Sequence, residues 1–223
     1  MVDILSVYGS MLLQAMGQSL VMAFFGLIFA CIVGLIFGIL SVMHNRVCRA
    51  IATAFVYAIR GVPMIVLAFF VFFGVPYFAN NILGSNLTLT ALKAGIICLA
   101  LNCGAYMAEI IRAGIQSVDK GQMEAARSLG LPYWRAMQRV ILPQAIRTMI
   151  PSIINQFIIT LKDTSILSVI GFPELVNSAK NVIANTFNSF AVWAIVAVMY
   201  IIVITALSVA AKRVERRLSR GRD

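Results

Sequence analysis

Charged residues are scarce in this chain, and acidic residues are the scarcest of them. Of 223 residues, 8 are Asp or Glu and 18 are Lys or Arg, while 61% are hydrophobic. The stretches from Ile4 to Met43 and from Asn181 to Ala211 contain no charge and no histidine. Soluble domains carry about 25% charged residues, whereas this chain carries 12%. The composition therefore excludes an ordinary soluble domain and predicts one all-α membrane bundle over residues 1–223.

The residues that build catalytic and metal sites are also scarce. His44 is the only histidine and lies two residues before Arg46, which favours a solvated interfacial position. The four cysteines lack metal-ligand spacing and have no Asp, Glu or His beside them, so they are expected to be small buried side chains. A phosphate-binding loop needs Lys followed by Ser or Thr, and none of the five lysines is followed by either. The chain is therefore expected to be neither an enzyme nor an ATP-binding protein.

Long apolar runs predict five membrane-spanning helices, because a helix needs roughly 20 apolar residues to cross the hydrocarbon core. The expected spans are about residues 18–43, 50–77, 90–111, 146–170 and 188–211. Residues 4–17 are interpreted as an interfacial or loosely inserted segment. They do not resemble a secretory signal, since the first basic residue is Arg46. Five spans place the two termini on opposite sides of the membrane.

Basic residues are distributed unequally between the two sides. Fourteen of them follow the first, third and fifth spans, whereas only Lys93 and Lys180 fall on the other side. Cytoplasmic segments carry the excess of Lys and Arg, so the N-terminus is expected outside and the C-terminal tail in the cytoplasm. The net charge of +10 follows from this topology and from contact with anionic lipid. Nucleic acid is disfavoured as a partner, because the basic tail has no aromatic residue that could stack on a base.

The segment of residues 112–145, here called the cytoplasmic loop, contains a polar and basic island between apolar runs. Asp119 with Gln122 approximates a capping box, which predicts a helix from Lys120 to Leu129. Gly130 adopts the left-handed conformation at little cost and should end that helix, and Pro132 can begin a second short helix. The small residues Ala125 and Ala126 would let another surface approach closely. The pattern indicates either a docking surface for a soluble partner or simply a capped loop helix.

Four charged residues lie within or at the edge of predicted spans: Arg60, Glu109, Lys162 and Asp163. Such residues usually face a wet cavity or pair with one another. They therefore indicate either a polar path with both signs of charge, suited to a zwitterion, or ion pairs that hold helices together. Gly61 and Pro63 weaken the helix beside Arg60, and a gate or bend is expected there.

Small residues recur at four-residue spacing in the first span. Gly26, Ala30, Gly34 and Gly38 form a row of the kind that lets membrane helices approach closely. Packing within the chain is the favoured interpretation, with a subunit interface as the alternative.

The loop motif resembles that of the permeases of ATP-binding cassette (ABC) importers. In that family E-A-A-x-x-x-G is followed after nine residues by an aliphatic residue, any residue and L-P; here the motif begins with Glu124-Ala125-Ala126, has its glycine at Gly130 and ends in Leu142-Pro143. Val140 stands where the family usually has Ile. The segments at 105–131, 60–63 (RGVP, commonly RGTP) and 161–171 are similar to the polar amino acid permeases, the histidine, glutamine, arginine and opine group.

The resemblance implies a type I importer permease fold (MetI-like), with five spans and a cytoplasmic coupling helix that sits on a separate ATPase. Residues expected to couple to the ATPase are Gln122, Glu124, Ala125, Ala126, Arg127, Gly130, Leu131 and Pro143. Residues expected along the substrate path are Arg60, Gly61, Val62, Pro63, Glu109, Asp163 and Thr164.

The resemblance also implies the partners and the cellular location. The partners are a cytoplasmic ABC ATPase dimer, an extracytoplasmic amino-acid-binding protein, a second permease copy, the lipid bilayer and a polar amino acid. No cofactor is expected on this chain, and ATP and Mg²⁺ are expected on the ATPase. The location is the bacterial inner membrane. A passive channel or scaffold is the alternative class, but a channel has no need of a capped docking helix.

Overall fold

In the computed structural model, the backbone is described over residues 2–219 and the side chains over residues 4–213. The described backbone is helical and contains no strand. The ten α-helices are α1 (Val2–Val42), α2 (Arg46–Gly61), α3 (Met64–Phe69), α4 (Val75–Asn81), α5 (Ala91–Gln116), α6 (Lys120–Ser128), α7 (Tyr133–Ala136), α8 (Leu142–Asp163), α9 (Leu175–Thr186) and α10 (Ser189–Ser219). Two π-helical segments, Phe70–Gly74 and Met137–Ile141, and a 3-10 helix, Thr164–Ile170, connect some of them.

Five helical stretches are long and apolar enough to cross a membrane, which confirms the predicted all-α membrane fold. They are Ile4–Val42, Met64–Asn81, Ala91–Gln116, Tyr133–Ile170 and Ser189–Arg213. The third is the most buried of the five, with 61% of its most apolar window inside the molecule. The bundle is therefore built around α5.

Close packing of α1 on α5 depends on the predicted row of small residues. A Cβ atom at Gly34 would lie 2.4 Å from the Cβ of Met107, and one at Gly26 would lie 2.7 Å from the Cβ of Leu99. Any larger side chain would push the helices apart, so the small-residue row packs within the chain, as predicted. The paired positions increase together along both helices, so α1 and α5 run parallel.

The start of the chain differs from the prediction. Residues 4–17 are not a loosely inserted segment, because α1 continues without interruption from Val2 to Val42. Ile4, Leu12 and Met16 are buried in a cluster with Leu175 of α9 and Val192 of α10. The segment is therefore a packed part of the bundle. Sequence patterns could not show this, since the covering helix α9 was not predicted.

The second predicted span, residues 50–77, is not one helix. Helix α2 ends at Gly61, Val62 is extended (φ −100°, ψ 129°), and a new helix begins at Met64 after Pro63. The predicted bend near residues 61–63 is confirmed, but it divides the span completely. The missing N–H of Pro63 and its restriction of the preceding residue explain the break.

The fourth span is longer than predicted at its first end. Residues 133–163 form one continuous helical path through α7, a π-helical turn and α8. The second helix of the cytoplasmic loop is therefore the beginning of the fourth span, and not a separate short helix. Pro132 occupies the N-cap position rather than the first helical position.

Helix α9 begins at a carboxylate with no access to solvent. Glu174 is 0% exposed, and its oxygens accept bonds from the N–H groups of Val176 (2.9 Å) and Asn177 (2.6 Å). The hydroxyl of Tyr200 lies 3.5 Å from the same carboxylate. Burial raises the pKa of the Glu174 carboxyl, and these hydrogen bonds with the charge of Lys180 offset that rise only in part. Glu174 thus joins α9 to α10, and its burial shifts its titration towards higher pH.

We expect Glu174→Gln to remove a pH-dependent component of stability. A carboxyl whose pKa is raised on folding stabilises the fold fully below its ordinary pKa, and that contribution is lost as pH rises through the raised value. The midpoint of thermal unfolding in detergent should therefore rise for the glutamine variant relative to wild type as pH increases from 5 to 8. Relative to Glu174→Gln, Glu174→Ala should cost about 0.5–2 kcal/mol at every pH, because neither variant titrates and only alanine loses the helix cap. If the difference in unfolding midpoint between Glu174→Gln and wild type does not change with pH, the raised pKa of Glu174 is contradicted.

Candidate functional site

Polar side chains follow one another at helical spacing on α2 and α5, and they face two adjoining cavities. On α2 these are Arg49, Thr53, Tyr57 and Arg60, and on α5 they are Tyr106, Glu109, Arg112 and Gln116. Positions three or four residues apart share one face of a helix. Two membrane helices with facing polar stripes form a wet path through an otherwise apolar bundle.

The first cavity, here called the break chamber, lies beside the interruption between α2 and α3. Its volume is about 480 Å³, and it is lined by Arg60, Gly61, Val62, Pro63, Met64, Asn102, Tyr106, Gln156, Ile159 and Asp163. Five of the seven predicted pathway residues, Arg60, Gly61, Val62, Pro63 and Asp163, therefore line one chamber. Irregular backbone at membrane depth occurs where it lines a cavity, and the break at Val62 fits that rule.

The second cavity, here called the arginine chamber, has a volume of about 620 Å³. It contains three guanidinium groups, those of Arg49, Arg60 and Arg112, and one carboxylate, that of Glu109. The Arg112 Nε donates to Glu109 Oε2 at 3.1 Å, a second guanidinium nitrogen donates to the other oxygen, and Nη1 donates to Gln116. Because Arg112 neutralises Glu109, the chamber keeps a net positive charge.

Of the ion pairs that the sequence allowed, Glu109 with Arg60 or Arg112 and Asp163 with Lys162, only Glu109–Arg112 is formed among the described residues, and it does not join two helices. Glu109 pairs with Arg112 of its own helix and not with Arg60. Arg60 instead lies over the ring of Tyr106, with its Cζ 4.8 Å from the ring centroid. Lys162 acts on Asp163 electrostatically, but the two form no ion pair within the described part of the chain. Arg60 and Asp163 thus line the break chamber with their hydrogen-bonding capacity largely unused.

Thr164 differs from its predicted role. Its side chain is fully buried, and its hydroxyl donates to the carbonyl of Leu161 at 2.7 Å. It lines neither chamber and belongs to the junction between α8 and the 3-10 helix.

Five residues of the break chamber were not predicted from the sequence: the polar Asn102, Tyr106 and Gln156 and the apolar Met64 and Ile159. The three polar residues matter most for the path. These polar residues are uncharged and lie inside apolar runs, where only the charged residues indicated a polar path. Their spacing was the available signal. Asn102 and Tyr106 precede Glu109 by seven and three positions, and Gln156 precedes Asp163 by seven, so each shares a helix face with a carboxylate.

The predicted coupling residues lie on or beside α6, whose ends agree with the prediction. Asp119 accepts a bond from the N–H of Gly121 at 2.7 Å and caps the first turn. Gly130 is left-handed (φ 82°), its N–H donates to Arg127, and the N–H of Leu131 donates to Ala126. These two bonds form a Schellman motif. The reciprocal half of the capping box is absent, because the Gln122 Oε1 accepts from Gln144 of α8 at 3.2 Å instead.

Helix α6 has one face on the bundle and one face free. Ala126 is buried, and the half-buried Met123 lies on the same side. Glu124, Ala125 and Arg127 are exposed. The surface that approaches Ala126 closely is therefore part of this chain. Leu129, directly after α6, is 84% exposed, so this end of the helix carries a large exposed apolar side chain. Trp134 of α7 is 66% exposed and lies beside the ring of Tyr133. Pro143 is exposed at the start of α8, and Leu131 is half-buried.

These features define the inner-membrane part of a transport system. Residues 26–220 match the family of binding-protein-dependent transport system inner membrane components. The chain belongs to this family, and it is the permease subunit of an importer.

Similar proteins extend the comparison. The glutamine transport system permease protein GlnP of Escherichia coli strain K12 is 35% identical over 208 residues, 93% of each chain. The putative glutamine transport system permease protein GlnP of Rickettsia prowazekii strain Madrid E is 36% identical over 191 residues, which cover 86% of this chain and 85% of that one.

Two solved structures share the fold. A crystal structure of an amino acid ABC transporter with histidines is 35% identical, has a TM-score of 0.88, and covers 97% of this chain and 99% of that one. An inward-facing structure of the MetNI methionine ABC transporter is 20% identical, with a TM-score of 0.77 and coverage of 95% and 98%. The second likeness concerns the fold alone.

Proposed function

We propose that this chain is the permease subunit of an ATP-driven importer of polar amino acids, and that the amino acid passes through the break chamber. The observation that carries the proposal is the placement of Arg60 and Asp163 on one cavity, each without an ion-pair partner among the described residues. An amino acid backbone carries one ammonium and one carboxylate. Asp163 accepts bonds from the ammonium, while Arg60 donates to the carboxylate, and charge-assisted bonds of this kind are the stronger class.

The side chain of the substrate meets the remaining walls of the chamber. Asn102 and Gln156 offer amide donors and acceptors, and Gln156 is 6% exposed. A polar side chain can bond to them, whereas an apolar one would leave Asn102 with its weak bond to Met64 Sδ at 3.7 Å and would forgo about 0.5–1.5 kcal/mol per hydrogen bond. The glutamine and amino acid systems among the similar proteins support this substrate class.

The energy comes from a separate cytoplasmic ATPase, which docks on the free face of α6. Glu124, Arg127 and Leu129 present charge of both signs and an apolar side chain on that face. Gln122 links α6 to α8 through Gln144, and α8 carries Asp163. A movement of α6 therefore has a direct path to the break chamber. ATP and Mg²⁺ bind the ATPase and not this chain.

The remaining partners are an extracytoplasmic amino-acid-binding protein and a second permease copy, identical or similar. Purification of the intact complex from the native membrane tests the proposal. It should yield the ATPase and the binding protein with this chain, and the binding protein should bind polar amino acids from a panel of all twenty. Recovery without an ATPase, or a binding protein that accepts only apolar amino acids, would contradict it.

Orientation in the inner membrane gives a further prediction. Gly114 packs on Met149 and Gly95 packs on Leu167, so α5 and α8 are antiparallel, and Lys120 and Lys180 lie at opposite ends of the bundle. The charge distribution assigns the Lys180 end to the outside. An impermeant thiol reagent should label Lys180→Cys in intact cells, and Lys120→Cys only in permeabilised cells.

A cysteine at Asp3 should be labelled like the cysteine at Lys180, and a cysteine at Arg220 like the cysteine at Lys120. The side chains of Asp3 and of the basic residues 216, 217, 220 and 222 lie outside the described part. The reverse labelling pattern would overturn the orientation.

A further inference from the structure

The break chamber and the arginine chamber meet at three residues. Arg60, Gly61 and Tyr106 line both cavities, whereas Asp163 lines only the first and Arg49 only the second. The two cavities are therefore adjacent, and the Arg60–Tyr106 contact lies at their shared border.

Two features would allow the contact between Arg60 and Tyr106 to open. The Arg60 Cζ lies 4.8 Å from the Tyr106 ring centroid, a cation–π geometry, and Arg60 has no ion pair in the described structure. Arg60 is also the residue before Gly61, where α2 ends, and Val62 beyond it is extended. The guanidinium is therefore attached next to a break in the helix, whereas Tyr106 stands in the middle of the continuous helix α5. A carboxylate in the break chamber would bind Arg60 more strongly than a partly exposed ring does.

We infer that Tyr106 is a pathway residue that, with Arg60, forms the partition between the two chambers. This inference rests on the proposed function, because it assumes that the two chambers are one substrate path. The ring closes the passage while the guanidinium covers it, and the passage opens when Arg60 turns away. No such role follows from the neighbouring Tyr57, which lines the arginine chamber alone and is 77% exposed. Tyr57 is therefore the matched control.

Cysteine accessibility tests the partition directly. Ile159 lines only the break chamber, and Thr53 lines only the arginine chamber. In the reconstituted complex, a small impermeant thiol reagent is applied from the side of the membrane on which Lys180 lies, under conditions in which Ile159→Cys reacts. The measured quantity is the labelling rate of Thr53→Cys divided by that of Ile159→Cys.

We expect this ratio to rise about tenfold when Tyr106→Leu removes the ring. Tyr106→Phe keeps the ring and should leave the ratio within about twofold of wild type. Tyr57→Leu should also leave the ratio unchanged. Arg60→Gln, which keeps a polar side chain but removes the cation, should raise the ratio as Tyr106→Leu does. If Tyr106→Leu and Arg60→Gln both leave the ratio at the wild-type value, the partition does not exist.

The test remains decisive even if Tyr106→Leu folds poorly. Tyr106→Phe keeps the size of the side chain and Arg60→Gln keeps a polar, though shorter, side chain, and the two variants must give opposite results. The outcome is also separable from a failure of the proposed function. The labelling ratio does not depend on which solute is carried, whereas wild-type uptake by Asp163→Asn would refute the amino acid path and leave the ratio as it is.

Discussion

Gly130→Val should reduce coupled uptake at least tenfold while the protein stays in the membrane at normal abundance. Gly130 has a φ of 82°, a conformation that costs a β-branched residue on the order of 1–3 kcal/mol. The two bonds that end α6, from Gly130 to Arg127 and from Leu131 to Ala126, require this conformation. Valine would therefore displace α6 from its position beside Gln144, and ATP hydrolysis would continue without transport.

A matched variant separates backbone conformation from side-chain size. Asparagine tolerates the left-handed conformation, and a Cβ at Gly130 would meet no atom within 4 Å. Gly130→Asn should therefore retain uptake within about threefold. Glu124→Lys, on the exposed face of the same helix, should uncouple transport without altering the helix end. Wild-type uptake by Gly130→Val at normal abundance would refute the coupling role of α6.

Asp163→Asn and Arg60→Gln should each impair uptake by about ten- to a hundredfold. Each removes one charge that would bind the substrate, and hydrogen bonds to charged groups contribute about 1.5–3 kcal/mol, where 1.4 kcal/mol corresponds to tenfold. Asp163→Asn keeps the size of the side chain and tests charge rather than packing, whereas Arg60→Gln removes the charge and also shortens the side chain. ATPase docking and basal hydrolysis should persist, because neither residue lies near α6.

Glu109→Gln provides the internal comparison for this pair. Both Glu109 and Asp163 were predicted to contact the amino acid, but Glu109 is bonded to Arg112 of its own helix. Partly exposed pairs of this kind are worth about 0–1 kcal/mol, so Glu109→Gln should lower uptake only a few-fold. If wild type, Asp163→Asn and Arg60→Gln take up the amino acid equally at all substrate concentrations, the substrate path does not run past these two charges. Loss of complex assembly in both variants would make the two charges structural.

The sequence predicted those features that depend on neighbouring residues. Asp119 and Gly130 define the ends of α6 through local backbone chemistry, and Pro63 breaks the second span for the same reason. The row from Gly26 to Gly38 was readable because small residues at four-residue spacing leave room on one helix face. Each of these arguments needed only a few consecutive positions.

Features that depend on distant contacts could not be predicted. The burial of Leu12 requires α9, a helix whose N-cap is a buried glutamate rather than a typical capping residue. The pairing of Glu109 with Arg112, by contrast, joins positions three residues apart on one helix face and was readable from the spacing. Thr164 lies beside Asp163 in sequence, but its hydroxyl is used by the helix backbone. Tyr106 carries no charge; its three-residue spacing from Glu109 puts it on the same helix face, but its position between two cavities depends on how α2 packs against α5.

The central claim, that this chain couples ATP hydrolysis to the import of a polar amino acid, is tested most directly by measuring both quantities in the same proteoliposomes. The vesicles contain the purified complex with ATP on the side of α6, and the loaded binding protein is supplied on the other side. The account predicts that uptake against a concentration gradient requires both ATP and the binding protein, and that the binding protein stimulates hydrolysis. Uptake that only runs down its gradient and is unaffected by ATP would contradict the account and identify a passive channel.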